Sequence, residues 1–132
     1  MSININKKDN VAILNILDDV ILDTVDEFKK VIDSLIRKNN LKVILNLSNV
    51  DFISSRGLGA IGHCADLLRK KGGDLKVLGI KPDVRNLFEI CGLVQIIDIF
   101  QTEEDALLSC GDNVGNIEKR LLWTLNPKET QE

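Results

Sequence analysis

Hydrophobic positions along the chain follow two different spacings. Nearly continuous apolar runs at 10–17, 41–47, 74–80 and 95–100 predict β-strands, with a short additional strand expected at 2–5. Between these runs, apolar residues recur every three or four positions, which predicts amphipathic helices. Alternating strands and helices predict an α/β fold with a mainly parallel, mixed sheet of four to five strands and about four helices.

Residue types at the helix ends support this assignment. Thr24 and Thr102 are expected to cap the first and last helices, and Pro82 suits the first turn of the third. Gly72 and Gly73 can end the second helix in a left-handed conformation.

Composition limits the number of domains and the partners. A chain of 132 residues with 44% hydrophobic residues suits one domain with a single core. Seventeen basic against twenty acidic residues give a net charge of -3, so neither nucleic acid nor an anionic membrane surface is an expected partner. Without an apolar stretch long enough to span a membrane or a secretory signal, the protein is expected to be cytoplasmic.

Residue patterns that would support catalysis, metal binding or a cofactor are weak. Three widely spaced cysteines are expected to be reduced thiols packed as small hydrophobic side chains: Cys64, Cys91 and Cys110. The single histidine, His63, lies eight residues beyond Ser55 and is expected to point outward, which argues against a catalytic triad. We therefore expect no catalytic residue, no bound metal and no cofactor.

A glycine pattern occurs at the start of the second helix. Gly57, Gly59 and Gly62 form G-x-G-x-x-G, but Gly57 lies about ten residues past the preceding strand, too far for a dinucleotide-binding turn. The glycines instead permit close approach of another surface.

The outward face of this helix is predicted to be small and flat. A helical projection places Ser55, Gly59, Gly62 and Asp66 on one stripe, beside a second stripe of Arg56, Ala60, His63 and Leu67. Two interpretations stay open at this point: a docking face for another protein, or a glycine-thinned helix packed against a neighbouring element of the same chain.

Ser55 also suits covalent modification. A phosphoryl group at a helix start would meet backbone N–H groups without intrahelical partners and the positive end of the helix dipole, with Arg56 adjacent. The alternative is that Ser54 or Ser55 only caps the helix, and the two roles are compatible.

Three blocks of sequence carry a family resemblance over about residues 3–111. The blocks resemble, in sequence and in spacing, the bacterial anti-sigma factor antagonists, which are single STAS domains. They are VILNLSNVDFISSRGLG, KKGGDLKVLGIKPDVRNLFEICGL and IIDIFQTEEDALLS. The resemblance divides the chain into a STAS domain at 1–111 and a C-terminal extension at 112–132.

This resemblance implies a partner switch. Family members bind an anti-sigma factor that is also a serine kinase. This binding releases a sigma factor. The kinase uses its own bound ATP to phosphorylate a serine at the start of the second helix, and a phosphatase resets the protein. The corresponding serine here is Ser55, with Ser54 as the alternative acceptor. The residues expected to contact the partner are Asp19, Asp23, Ser54, Arg56, Gly57, Gly59, Gly62, His63, Asp66 and Leu67.

The chain departs from the family pattern in two places. At the modification site, Ser54 stands where the family has an acid, and Arg56 occupies the third position. The turn that the family usually reads as Gly-Glu-Leu-Asp is Asp18-Asp19-Val20-Ile21. A STAS-type scaffold or signalling module with a non-kinase partner is therefore the alternative function.

The C-terminal extension is expected to form a short helix followed by a disordered tail. Ile117, Leu121 and Leu125 would share one stripe, with Trp123 nearly opposite, so the extension either patches the core or supports a homodimer.

Overall fold

The structure is a computed structural model that describes residues 2–111. The predictions about residues 112–132, including the stripe, Trp123 and the homodimer, lie outside the described residues.

Five strands and four helices alternate along the described chain, with one 3-10 turn. They are β1 (Ile3–Lys8), β2 (Val11–Ile16), α1 (Leu22–Arg37), β3 (Lys42–Asn46), α2 (Ser55–Lys70), β4 (Asp74–Leu78), α3 (Pro82–Ile90), the 3-10 turn (Leu93–Gln95), β5 (Ile99–Phe100) and α4 (Glu103–Gly111). The sheet order is β1-β2-β3-β4-β5. Only the β1–β2 pair is antiparallel, so the predicted mixed, mainly parallel sheet is confirmed.

The sheet has a core on each face. Alternate residues of β2 and β3 point to opposite faces: Leu14 and Leu45 pack under α1 and α2, and Ile13 and Ile44 pack with Ala106 of α4. The central strands are therefore buried on both sides, which explains their nearly continuous apolar sequences.

Two of the predicted element boundaries are wrong. The first helix begins at Leu22 after Ile21, which makes no side-chain capping bond, and Thr24 is buried inside the helix. The last strand is only Ile99–Phe100. The chain enters a 3-10 turn at Gly92 (φ 81°), and the residues from Gln95 to Asp98 still belong to this turn and the irregular segment after it. The predicted cap of α4 is confirmed, since the Asp105 amide donates to the Thr102 hydroxyl at 3.2 Å.

A charged cluster lies where α2 ends and β4 begins. Lys76 is 4% exposed and lies 3.5 Å from Asp74 Oδ2 and 3.2 Å from Asp98 Oδ2. Arg69 Nε pairs with Asp74 Oδ1 at 2.7 Å, and the Arg69 guanidinium also donates to the Ile96 carbonyl. These bonds connect α2, β4 and the segment before β5.

The cysteines only partly match their prediction. Cys64 and Cys110 are buried, and burial raises the pKa of the Cys64 thiol to about 11 and raises that of Cys110. Cys91 is exposed, so the expectation that it is packed inside is wrong. It is the C-cap of α3 and lies beyond the part of the helix that is buried through Val84 and Phe88.

Gly73 provides a test of how the turn between α2 and β4 packs against Leu41, the residue before β3. A Cβ at this position would lie 2.0 Å from the Leu41 carbonyl oxygen, which is backbone and cannot rotate away. We expect Gly73→Ala to lower the free energy of unfolding by about 3 kcal/mol, measured by urea denaturation. The exposed neighbour substitution Lys71→Ala should change it by less than about 0.5 kcal/mol; equal losses in both variants would contradict this packing.

Candidate docking and modification site

Two loops meet at the end of the sheet where β2 and β3 finish. A parallel bridge joins Val20, in the loop after β2, to Ile53, in the loop before α2. The Val20 amide donates to the Phe52 carbonyl at 3.0 Å, and the Ser54 amide donates to the Val20 carbonyl at 2.9 Å. The backbone of the loop that carries Ser54 is therefore held in place up to the first residue of α2.

The Asp19 carboxylate adds a second link between the same loops. Its Oδ1 accepts the amides of Asp51 at 3.0 Å and Phe52 at 3.2 Å. Lys81 lies just before α3, and its Nζ pairs with Asp51 Oδ1 at 2.6 Å. This ion pair connects the loop after β4 to the loop before α2. Asp19 is one of the residues expected to contact a partner. In the structure its Oδ1 accepts both of these hydrogen bonds from within the domain.

Gly57 lets α2 start directly against the bridge. A Cβ there would lie 2.8 Å from Ile53 Cγ2, 2.9 Å from Val20 Cγ1 and 3.0 Å from the Val20 carbonyl oxygen. Gly57, one of the residues expected to contact the partner, is buried and packs closely within the domain. Ala60, predicted to be outward, is also buried at 5% exposure because the inward face of α2 is wider than the projection assumed.

The two serines have different structural roles. Ser54 is the N-cap of α2: it has an extended backbone, and its Oγ accepts the Gly57 amide at 3.1 Å. Ser55 is the first residue of the helix, and its side chain is exposed. The open question about the cap is therefore answered in favour of Ser54, and the hydroxyl of Ser55 faces solvent.

Most other predicted residues of α2 are accessible. Arg56, Gly59, His63 and Asp66 are exposed, and no atom lies within 4 Å of a Cβ built at Gly59. Gly62 is half-buried, because a Cβ there would approach Leu93 Cδ2 to 3.1 Å, and Leu67 is half-buried as well. Packing against the same chain therefore holds at Gly62, which lies against the 3-10 turn. Gly59 faces solvent, so the docking face stays a prediction there.

Four large apolar side chains in or beside the same loops are exposed, and none of them is among the residues expected to contact the partner. Their exposed fractions are 52% for Leu17, 51% for Ile21, 62% for Leu22 and 48% for Phe52. Asp23, in the first turn of α1, is exposed beside Leu22. The sequence does contain an indication that Ile21 and Leu22 are exposed, because both lie before Val25, where the apolar core stripe of α1 begins. An apolar group of this kind at a loop junction is typical of a protein-binding surface.

Neither a metal-binding group nor a membrane-spanning helix is found in the part of the chain that the structure describes. Among residues 2–111, no three His, Cys, Asp or Glu side chains come together in a way that would hold a metal ion. No helix in the same range combines the length and hydrophobicity needed to cross a membrane. The start of α2 therefore carries an exposed serine, Ser55, next to two loops with exposed apolar side chains.

Comparison with known proteins identifies the family. The STAS domain family matches residues 2–106, and the chain belongs to this family. The anti-sigma F factor antagonist of Paenibacillus polymyxa is 33% identical over 85 residues, which are 64% of this chain and 73% of that protein.

Solved structures agree on the fold. TM1081 of Thermotoga maritima superposes with a TM-score of 0.79 at 25% identity, over 83% of this chain and 95% of that one. SpoIIAA of Bacillus, solved in its phosphorylated form, has a TM-score of 0.65 at 20% identity, over 80% of this chain and 96% of that one.

The assignment of the helix cap to Ser54 can be tested by the free energy of unfolding of two serine variants. Ser54→Ala should lower the free energy of unfolding by about 1 kcal/mol, because the Gly57 amide loses its acceptor. Ser55→Ala, the matched control, should change it by less than about 0.5 kcal/mol. Thermal or urea unfolding of both variants checks this, and a larger loss for Ser55→Ala would refute the assignment of the cap.

Proposed function

We propose that this protein is an anti-sigma factor antagonist that binds an anti-sigma factor with serine kinase activity and is released when Ser55 is phosphorylated. The observation that carries the proposal is the exposed Ser55 hydroxyl at the start of α2, next to a cap that is already supplied by Ser54. The protein acts in this scheme by binding, and the kinase partner supplies the bound ATP.

Binding is assigned to one surface, which we call the docking face. It comprises Leu17, Ile21, Leu22, Phe52, Ser55 and Gly59. Covering four large apolar side chains would remove apolar area from water, which is the main favourable term in association. Gly59 has open space above its Cα, so a partner backbone can approach the helix closely there.

Phosphorylation at Ser55 would oppose this contact without unfolding the domain. The phosphoryl group adds up to two negative charges and bulk at the edge of an apolar interface, where desolvation of the charge is costly. Its tolerance in the free protein follows from its position at the helix N-terminus beside Arg56. A phosphatase that removes the group would restore binding.

Ser54 is the weaker candidate acceptor. Its oxygen is engaged by the Gly57 amide and its side chain is half-buried, so a kinase would have to break the cap to reach it. Two similarities to known proteins support the proposal as a whole. Relatives carry the name anti-sigma factor antagonist, and SpoIIAA, which shares the fold, has been solved in a phosphorylated form.

A STAS-type scaffold with a non-kinase partner is the second candidate. Two observations favour it: the acid usual before the acceptor serine is Ser54 here, and Oδ1 of Asp19 is used to hold the loops together. In that case the docking face keeps its role, and Ser55 is not modified.

Phosphate transfer separates the two candidates. The purified chain is incubated with ATP and each candidate anti-sigma kinase of its own genome, and phosphopeptides are located by mass spectrometry. Phosphate on Ser55 that disappears in Ser55→Ala and persists in Ser54→Ala is the expected result. Transfer to Ser54, or no transfer with any of the kinases, would exclude the kinase switch at Ser55.

The docking face is tested independently of phosphorylation. We expect Gly59→Gln to weaken binding to the anti-sigma factor at least about tenfold, because a long side chain would stand between the surfaces. Its stability should be unchanged or slightly higher, since glycine is a poor helix former. Lys70→Gln, exposed at the other end of α2, is the control in calorimetric titrations; equal affinities for both variants would place the interface elsewhere.

A further inference from the structure

The first strand, β1, leaves one edge of the sheet open. Its outer side pairs with no other strand of the described chain. Every residue of β1 except Ile3 is exposed, and Ile5, near the middle of the strand, is 44% exposed. The turn to β2 consists of Asp9 and Asn10, both with positive φ (52° and 67°), so β1 is one arm of a tight hairpin. An ordered strand with an open edge is a template for pairing with another strand.

The backbone groups that face this open edge follow from one hydrogen bond. The Leu17 amide donates to the Ser2 carbonyl at 2.8 Å, and the register of β1 and β2, extended by one position, places these residues opposite each other. Successive pairs of an antiparallel ladder alternate between those that exchange hydrogen bonds and those that do not. The amides and carbonyls of Ile3, Ile5 and Lys7 therefore point away from β2.

This set of outward groups is symmetric about Ile5. In an antiparallel pairing of two copies with Ile5 opposite Ile5, Ile3 of each copy lies opposite Lys7 of the other, and each of these pairs can exchange two backbone hydrogen bonds. Like charges directly opposite each other would oppose the pairing, and in this register no lysine faces a lysine. The two Ile5 side chains lie on the same face of the sheet as Ile3 and would cover each other.

A carboxylate beside β1 complements the same register. Glu27 of α1 is half-buried, and its Oε1 accepts the Ser2 amide at 3.1 Å. Its Oε2 has no hydrogen-bond partner among the described residues. Lys7 of a second copy would lie opposite Ile3, on the face of the sheet that α1 covers, and would bring a positive charge toward this carboxylate.

We propose that the protein forms a homodimer in which β1 pairs antiparallel with β1 of a second copy, with Ile5 opposite Ile5, so that the two sheets become one continuous sheet. A second copy is favoured as the occupant because the backbone groups, the apolar side chain and the charges of this edge are complementary to themselves in a single register. α2 connects β3 with β4, which β2 separates from this edge, so the pairing leaves Ser55 uncovered.

A proline at the centre of the edge tests the contact. The Ile5 amide points outward, so Ile5→Pro removes no hydrogen bond between β1 and β2. We expect this variant to raise the dissociation constant of the dimer at least about thirtyfold, because both copies lose a donor at the centre of the contact. Ile5→Val, which keeps the amide and an apolar side chain, is the matched control and should dimerise like the parent chain. Sedimentation of the full chain over a range of concentrations measures the constant, and circular dichroism checks the fold.

Disulfide formation tests the register without a proline. In the proposed dimer, the two Cα atoms at position 5 lie about 5.5 Å apart, which suits a disulfide. Those at position 7 are offset by four residues, or about 13 Å. After mild oxidation, we expect Ile5→Cys to form a bond between the two copies and Lys7→Cys to form none between its own two positions. Peptide mass spectrometry distinguishes these bonds from any that involve the exposed Cys91.

Four results would overturn the proposal. They are a parent chain that sediments as a monomer at every concentration, a dimer that Ile5→Pro leaves at the parent affinity, no bond between copies in Ile5→Cys, and equal cross-linking at positions 5 and 7. The second result would place the dimer contact elsewhere on the chain, and the last two would exclude the register. If Ile5→Pro does not fold, the two cysteine variants decide alone.

Discussion

The bridge between Val20 and Ile53 is the interaction on which the candidate site depends. It is a single parallel pairing, but two backbone hydrogen bonds join Val20 to the residues on either side of Ile53. Oδ1 of Asp19 also accepts the amides of Asp51 and Phe52. The absence of a side chain at Gly57 then lets α2 begin directly on the bridge. The start of α2 is thereby placed by backbone contacts, which are less sensitive to rotamer changes than side-chain packing.

This placement separates the two serines chemically. The Ser54 hydroxyl satisfies one of the amides that any helix leaves without a partner, and Ser55 consequently turns outward as the first helical residue. In the proposed function, backbone N–H groups at this helix start stabilise a phosphoryl group, so the modification would change what the surface binds and leave the fold intact. In the proposed function, the exposed apolar residues around Ser55 make the contact that such a charge would disturb.

Much of the fold was predictable because the two hydrophobic spacings are well separated along the chain. The buried central strands, the Thr102 cap and the order of elements follow from local sequence. The burial of Gly57 and Ala60 did not, because a helical projection treats α2 as isolated, whereas its start packs on a bridge between distant loops. The exposure of Leu17, Ile21, Leu22 and Phe52 was missed for the related reason that apolar residues beside strands resemble core residues. The short β5 was overestimated because Ile97 enters the core from a turn rather than from a strand.

The central claim is that the charge state of residue 55 controls binding at the docking face. The most direct measurement compares the affinity of the anti-sigma factor for the unmodified chain and for a chain with phosphoserine introduced at position 55 during synthesis, with amide chemical shifts recorded for both. The account predicts that phosphoserine weakens binding at least about tenfold, while shifts change only around the start of α2. Equal affinity of the two proteins would contradict it.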